Sequence, residues 1–187
     1  VTKYRTIVAD PPWGYSVVRR NGAAENHYST MTTAEICALP AADLAADDAV
    51  LLLWATWPKL ADAFAVIAAW GFEQVSGFPW IKCEGDPQRT LWGEYEYRPQ
   101  WGIGFWVRGC SEMVLICRRG KVSPPGGEHI GLISVNFQHS RKPENLYEYA
   151  ETLDGPYLEL FARRARPGWA VFGNQAPGSI VLPLATA

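Results

Sequence analysis

The sequence predicts a single α/β domain over residues 1–187, with a largely parallel sheet flanked by helices. Three observations carry that expectation. Short continuous apolar runs (Thr6-Ile7-Val8-Ala9, Val50-Leu51-Leu52-Leu53-Trp54, Trp169-Ala170-Val171-Phe172) have the length and composition of strands buried on both faces. Between them apolar residues recur at helical spacing, as in Leu60, Phe64, Ile67 and Ala68. A chemically loaded tetrapeptide, Asp10-Pro11-Pro12-Trp13, follows the first run directly, and α/β sheets place their sites at the carboxyl ends of strands.

Composition narrows the class. A chain of 187 residues is long enough for one sizeable core and too short for two ordinary domains. With 48% hydrophobic and 19% charged residues it is globular rather than disordered. No apolar run reaches the roughly 18 residues of a membrane helix. The start, Val1-Thr2-Lys3-Tyr4, has no apolar signal core, and Cys37, Cys83, Cys110 and Cys117 form no Cys-x-x-Cys pair, so reduced thiols in a cytoplasmic protein are expected. His27, His129 and His139 lack metal-ligand spacing, and no metal is expected. The net charge of −2 gives no overall attraction to nucleic acid. Local clusters (Arg19-Arg20, Arg118-Arg119 with Lys121, Arg141-Lys142, Arg163-Arg164 with Arg166) are each compatible with a solvated face, and together with a phosphate track.

Taken in order, the first strand delivers one carboxylate, two rigid carbonyls and an indole to one point. Pro11 and Pro12 fix φ and carry no N–H, which stiffens the turn and leaves its carbonyls free. Such a group suits a planar amine: Asp10 and the Pro11 carbonyl accept its two N–H bonds, and Trp13 offers a flat face. The plain alternative is a Pro-rich turn after a buried strand. Residues 14–31 read as a flap carrying Tyr28, with a disordered surface loop anchored by Tyr28 as the alternative. Thr32 and Glu35 form a capping-box pattern opening a short helix that ends before Pro40. Val50–Trp54 reads as a central strand, Thr56-Trp57-Pro58 as the turn into the helix of Leu60 to Ala68, and Gly71 as its stop. Gln74–Ile81 is a further strand that leaves Trp80 and Lys82 near its end, with core packing as the competing reading for Trp80.

Residues 84–109 mix Arg89 and Arg98 with Trp92, Trp101 and Trp106, a composition suited to a loop that meets single-stranded nucleic acid or a flipped base. Glu112–Cys117 returns to strand, and Ile130–Phe137 is another. Pro143 fits a first helical position, Glu144 complements the helix's positive end, and Leu146, Tyr149, Ala150 and Leu153 make an apolar stripe. Tyr157–Phe161 is a strand interrupted by Glu159, a buried carboxylate that needs a partner. Trp169–Phe172 is the last clear strand, ending at Gly173-Asn174-Gln175. No Gly-x-Gly-x-x-Gly follows any strand, so phosphates are not the expected cargo.

Asp10-Pro11-Pro12-Trp13 resembles the signature of the MT-A family of adenine-N6 methyltransferases. The likeness runs from Ile7 to Gln175 and includes Tyr28-Ser29-Thr30-Met31, Trp80-Ile81-Lys82, Ser140-Arg141-Lys142-Pro143, Glu159-Leu160-Phe161-Ala162-Arg163 and Gly173-Asn174-Gln175. It implies a Rossmann-like S-adenosylmethionine-dependent fold in permuted order, with the Asp-Pro-Pro-Trp segment before the cofactor segment. It also implies roles: Asp10, Pro11, Pro12 and Trp13 catalytic; Tyr28, Trp80 and Lys82 around the base; Asp10, Lys142, Glu159, Phe161, Ala162, Arg163, Arg164, Asn174 and Gln175 at S-adenosylmethionine. The implied partner is nucleic acid, DNA before RNA, presented as an unpaired or flipped adenine, with room for a homo- or heterodimer and no membrane. A non-catalytic nucleic-acid platform on the same fold is the rival of another class.

Overall fold

The computed structural model describes residues 2–15, 30–89, 95–102, 106–123, 126, 132–135, 142–173, 176 and 180. Among the described residues eight strands form one sheet: β1 (Tyr4–Ala9), β2 (Ala45–Ala55), β3 (Glu73–Arg89), β4 (Tyr95–Pro99), β5 (Ser111–Arg119), β6 (Leu132–Val135), β7 (Tyr157–Leu160) and β8 (Trp169–Phe172). The α-helices among the described residues are α1 (Thr33–Cys37), α2 (Ala41–Leu44), α3 (Leu60–Ala69) and α4 (Glu144–Glu151).

The spatial order is β4-β3-β5-β2-β1-β7-β8, and β6 also pairs with β3. β1 lies between β2 and β7, parallel to both, and β8 extends the parallel set beside β7. β5 runs antiparallel to β2 and to β3, which makes β3 parallel to β2 across it, and β6 is parallel to β3. The expected largely parallel direction therefore holds, with β5 and β4 reversed within it. That reversal positions the site, because it brings the start of β5 to the edge where the parallel strands end.

Leu51, Leu52 and Leu53 are all 0% exposed, the pattern of a strand covered on both faces. One face (Ile7, Ala9, Leu51, Leu53) packs with Ile36 of α1 and Ala63, Val66 and Ile67 of α3. The other (Val8, Leu52, Trp54, Val114) packs with Leu146, Tyr147 and Ala150 of α4.

The local expectations hold in part. The capping box of α1 is present, with Glu35 N–H donating to Thr32 Oγ1 at 3.2 Å and Thr32 N–H donating to Glu35 Oε2 at 2.7 Å. Gly71 follows α3 at φ 74, where a side chain would be strained. The buried face of α3 is Ala63, Val66 and Ile67 rather than one centred on Phe64, which is 48% exposed. Trp70 sets that rotation: it is 1% exposed, and its indole N–H donates to the Ile36 carbonyl at 3.0 Å. On α4, Tyr147 takes the fully buried place expected of Tyr149. Pro143 stands at the N-cap of α4, extended at φ −69 and ψ 144, one position before that expected.

Residues 84–109 are not one loop. β3 continues to Arg89, and β4 pairs with it antiparallel, Glu84 opposite Arg98 and Arg89 opposite Tyr95. Backbone pairing with β5 and β6 holds β3 through Pro79 and as far as Cys83, past the expected end at Ile81.

Candidate functional site

A pocket opens at the carboxyl end of β1, lined by Asp10, Pro11, Trp13, Tyr15, Trp54, Ala55, Thr56, Glu112, Lys142 and Arg163. Strand parity explains its charged members. Asp10 follows Val8 at an interval of two and so faces α4, and Glu112 shares parity with Val114 on β5. Lys142 arrives from the segment before α4.

There the Lys142 ammonium lies 3.1 Å from Asp10 Oδ1 and donates to Glu112 Oε2 at 2.7 Å. Glu112 Oε1 accepts from Lys82 Nζ, also at the end of a salt bridge, so two carboxylates and two ammonium groups alternate along the pocket. Two indoles lie under them: Lys142 Nζ is 4.7 Å from the Trp54 ring, Lys82 Nζ is 4.9 Å from the Trp80 ring, and the rings meet edge-on at 5.6 Å.

The charges control one another. Burial pushes the Asp10 carboxyl above the usual aspartate range; Lys142 pulls it back, Glu112 pushes it up, and Arg163 pulls it down. Burial also acts upward on Glu112, but Lys142 and Lys82 outweigh it with charge and hydrogen bonds and hold its carboxyl down to about 2. Burial acts downward on Lys142, yet Asp10 and Glu112 hold it above the ordinary lysine value and keep it charged.

The proline turn is more tied than its sequence suggested. The Pro11 carbonyl accepts from Trp13 N–H at 2.8 Å and the Pro12 carbonyl from Met31 N–H at 2.8 Å, so the two carbonyls are not free. Each keeps a second lone pair. Trp13 is 5% exposed, and its indole N–H donates to the Trp54 carbonyl at 3.1 Å. It walls the pocket with a narrow strip and stands mainly in the core. Trp80, 1% exposed and packed against Trp54, supports the pocket from behind instead of offering a face to a base. Lys82 is committed to Glu112.

The second half of the predicted set gathers after β7. Phe161 takes a left-handed φ of 65, an uncommon and strained conformation for an aromatic residue, and this turn leads to Arg163 at the pocket. Gly173 passes so close to Ala162 that a Cβ would stand 2.0 Å from its carbonyl oxygen, so the end of β8 presses on the same turn only because the residue is glycine. Glu159 is 6% exposed and has the partner it needs: Tyr147 O–H donates to its Oε1 at 2.7 Å. Burial raises the Glu159 carboxyl above the usual range, against the pull of that hydrogen bond and of Arg166. Arg164 does not line the pocket; it pairs with Glu144 at the start of α4, as does Arg166 at 2.6 Å. Tyr28, Asn174 and Gln175 lie outside the described residues.

Glu112, Thr56 and Tyr15 were not among the predicted site residues. The readable signal for Glu112 was an acidic residue opening an apolar strand on the parity of Val114. Thr56 follows the central strand directly, and its hydroxyl lies 2.6 Å from Tyr15 Oη.

Among the described residues five buried side-chain polar atoms have no hydrogen-bond partner, and two of them, Trp54 Nε1 and Glu159 Oε2, belong to residues discussed above. Buried polar groups are normally satisfied. An unmatched donor in the wall of a pocket that also holds carboxylates and cations fits a bound polar molecule. Among the described residues no group of three His, Cys, Asp or Glu side chains is placed to hold a metal, and no helix is long and apolar enough to cross a membrane.

A Rossmann-like α/β sheet with an acidic Asp-Pro-Pro-Trp turn at the carboxyl end of its central strand fits the class of adenine-N6 methyltransferases, and the family match assigns it there. The model of the MT-A70 family matches residues 4–175, and the chain belongs to that family. It is 28% identical to the type II methyltransferase M.MunI of Mycoplasma sp, over 94% of this chain and 78% of the relative. It is 30% identical to the N(6)-adenine-specific methyltransferase METTL4 of Homo sapiens, over 92% of this chain and 37% of the relative. It is 29% identical to the N6-methyladenosine RNA methyltransferase MTA1 of Pyricularia oryzae, over 91% of this chain and 46% of the relative. The chain thus spans less than half of METTL4 and MTA1.

Proposed function

We propose that this chain transfers the methyl group of S-adenosylmethionine to the 6-amino group of adenine in nucleic acid, with DNA the favoured substrate. The carrying observation is Asp10 at the mouth of β1, buried enough to exclude most water and held by Lys142 at 3.1 Å. The amine's lone pair is delocalised into the ring, so it needs acceptors on its hydrogens to become nucleophilic. Asp10 supplies one, since a carboxylate has lone pairs beyond the one facing Lys142, and the remaining lone pair of the Pro11 carbonyl supplies the other. S-adenosylmethionine, when bound, would supply an electrophilic methyl on a sulfonium, with the C–S bond breaking as the C–N bond forms. Asp10 is then placed to take the proton the amine loses.

On this reading Arg163 and the third N–H of Lys142 meet the cofactor's carboxylate, Glu159 accepts from its hydroxyls, and the Phe161–Ala162 turn offers backbone contacts. DNA is favoured by the likeness to the type II methyltransferase M.MunI, which this chain matches over most of that relative's length. The test is incubation with labelled S-adenosylmethionine and matched DNA and RNA oligonucleotides. Label on adenine N6 of DNA is expected; label on RNA alone overturns the choice of DNA, and none on either leaves the nucleic-acid platform reading.

A further inference from the structure

We infer that Trp57 is a stacking residue for a nucleobase next to the target adenine, a reading that rests on the proposed nucleic-acid methyltransfer. Trp57 opens a single 3₁₀ turn, Trp57–Lys59, directly after β2, so it follows the pocket-lining Thr56. Its indole N–H donates to Ser111 Oγ at 3.0 Å, and Ser111 precedes the pocket-lining Glu112. The residue is thus tied at both sides of the pocket mouth.

Despite that anchoring it is 54% exposed. An indole normally hides its area, and Trp54, Trp70 and Trp80, each 1% exposed, do so here. Trp57 spends its only polar atom on the rim and leaves ring surface facing out. Pro58 fixes the next φ, which limits the freedom of the turn. A flat, fixed, half-exposed ring beside a pocket for one base suits the stacking of the adjoining base, a contact that tolerates any sequence because every base has a π-face. It also supplies contact energy toward holding the target adenine out of a stack.

The experiment measures binding of single-stranded DNA oligonucleotides by anisotropy, with an intact base or an abasic site next to the target adenine. Trp57→Ala should weaken binding of the intact strand on the order of 10-fold, Trp57→Phe should retain most of the affinity, and the abasic strand should bind both variants and the parent alike. Affinity for S-adenosylhomocysteine should stay unchanged in Trp57→Ala, which separates this role from loss of fold. Equal loss on intact and abasic strands overturns the inference, as does unchanged DNA affinity accompanied by altered self-association, which makes the indole a protein contact. Absence of methyl transfer by the parent protein to any strand overturns the methyltransfer reading instead.

Discussion

The Lys142 ammonium sits between Asp10 and Glu112, 3.1 Å from one carboxylate and 2.7 Å from the other, with the Trp54 ring 4.7 Å beneath it. One cation thus pulls two mostly buried carboxylates toward their ionised forms within a single pocket, and the behaviour of the site should follow from that sharing.

Asp10→Asn keeps the shape of the acceptor but removes its charge. Methyl transfer should fall by at least about two orders of magnitude, comparable to the loss of an oriented electrostatic group. Affinity for S-adenosylhomocysteine, measured by calorimetry, should change much less. Near-normal turnover would remove Asp10 from the chemistry.

Lys142→Met takes away the shared cation and leaves Asp10 and Glu112 facing each other. Breaking a buried pair in this way costs about 3–5 kcal/mol of stability, which denaturant unfolding reads directly. S-adenosylhomocysteine affinity should fall as well, by about 1.5–3 kcal/mol if the ammonium makes a charged hydrogen bond to the cofactor's carboxylate. An unfolding free energy equal to that of the parent would make Lys142 an ordinary surface charge.

Glu112 and Asp10 should leave opposite marks on pH profiles. The Glu112 carboxyl is lowered from 4.5 to about 2 on folding, so its contribution is fully present above pH 4.5 and is lost as pH falls toward 2. Glu112→Gln should flatten that part of the acid unfolding curve. Asp10 is raised, so its ionisation on the rising side of the aspartate range opposes folding and sets the acid limb of the transfer rate. Since Glu112 contributes to that rise, Glu112→Gln should move the acid limb to lower pH; a limb that stays in place, or moves up, contradicts the coupling.

The state of the substrate is the fourth expectation. A methyl acceptor held beside Asp10 cannot stay inside a duplex, and extrusion costs a few kcal/mol. kcat/KM should therefore be higher for single-stranded or mismatched adenine than for the same sequence in perfect duplex. Affinity should fall with rising salt if basic residues meet phosphates. A clear preference for perfect duplex would mean that a partner or a dimer supplies the opening energy.

Asp10 and Lys142 were legible because each stands in a short motif whose neighbours fix the backbone: two prolines after one, a proline and a helix after the other. Glu112 was not, because its role exists only through the reversed β5, and nothing within ten residues of it shows that Lys82 and Lys142 arrive at the same edge. Trp13 and Trp80 read as base-facing from the sequence, but indole area is drawn into the core when a neighbouring indole such as Trp54 is there to cover it. Arg164 read as a cofactor contact, and a partner twenty positions earlier, Glu144, claims it. β4 escaped because its residues are polar and hold their place through backbone pairing with β3. α2 is four residues long and has no room for a periodic stripe.

The central place of β1 has a consequence for how the protein is made. It leaves the ribosome long before its β7 neighbour does, and Thr6 Oγ1 donates to the Asp154 carbonyl 148 positions down the chain. During synthesis β1 can dock on β2, but its other edge stays open until the segment through Leu160 has emerged. Pairings of such long sequence separation form slowly, and an unpaired apolar strand is exposed to aggregation in the meantime. Asp10, at the tip of that strand, therefore gains its full surroundings only late in folding.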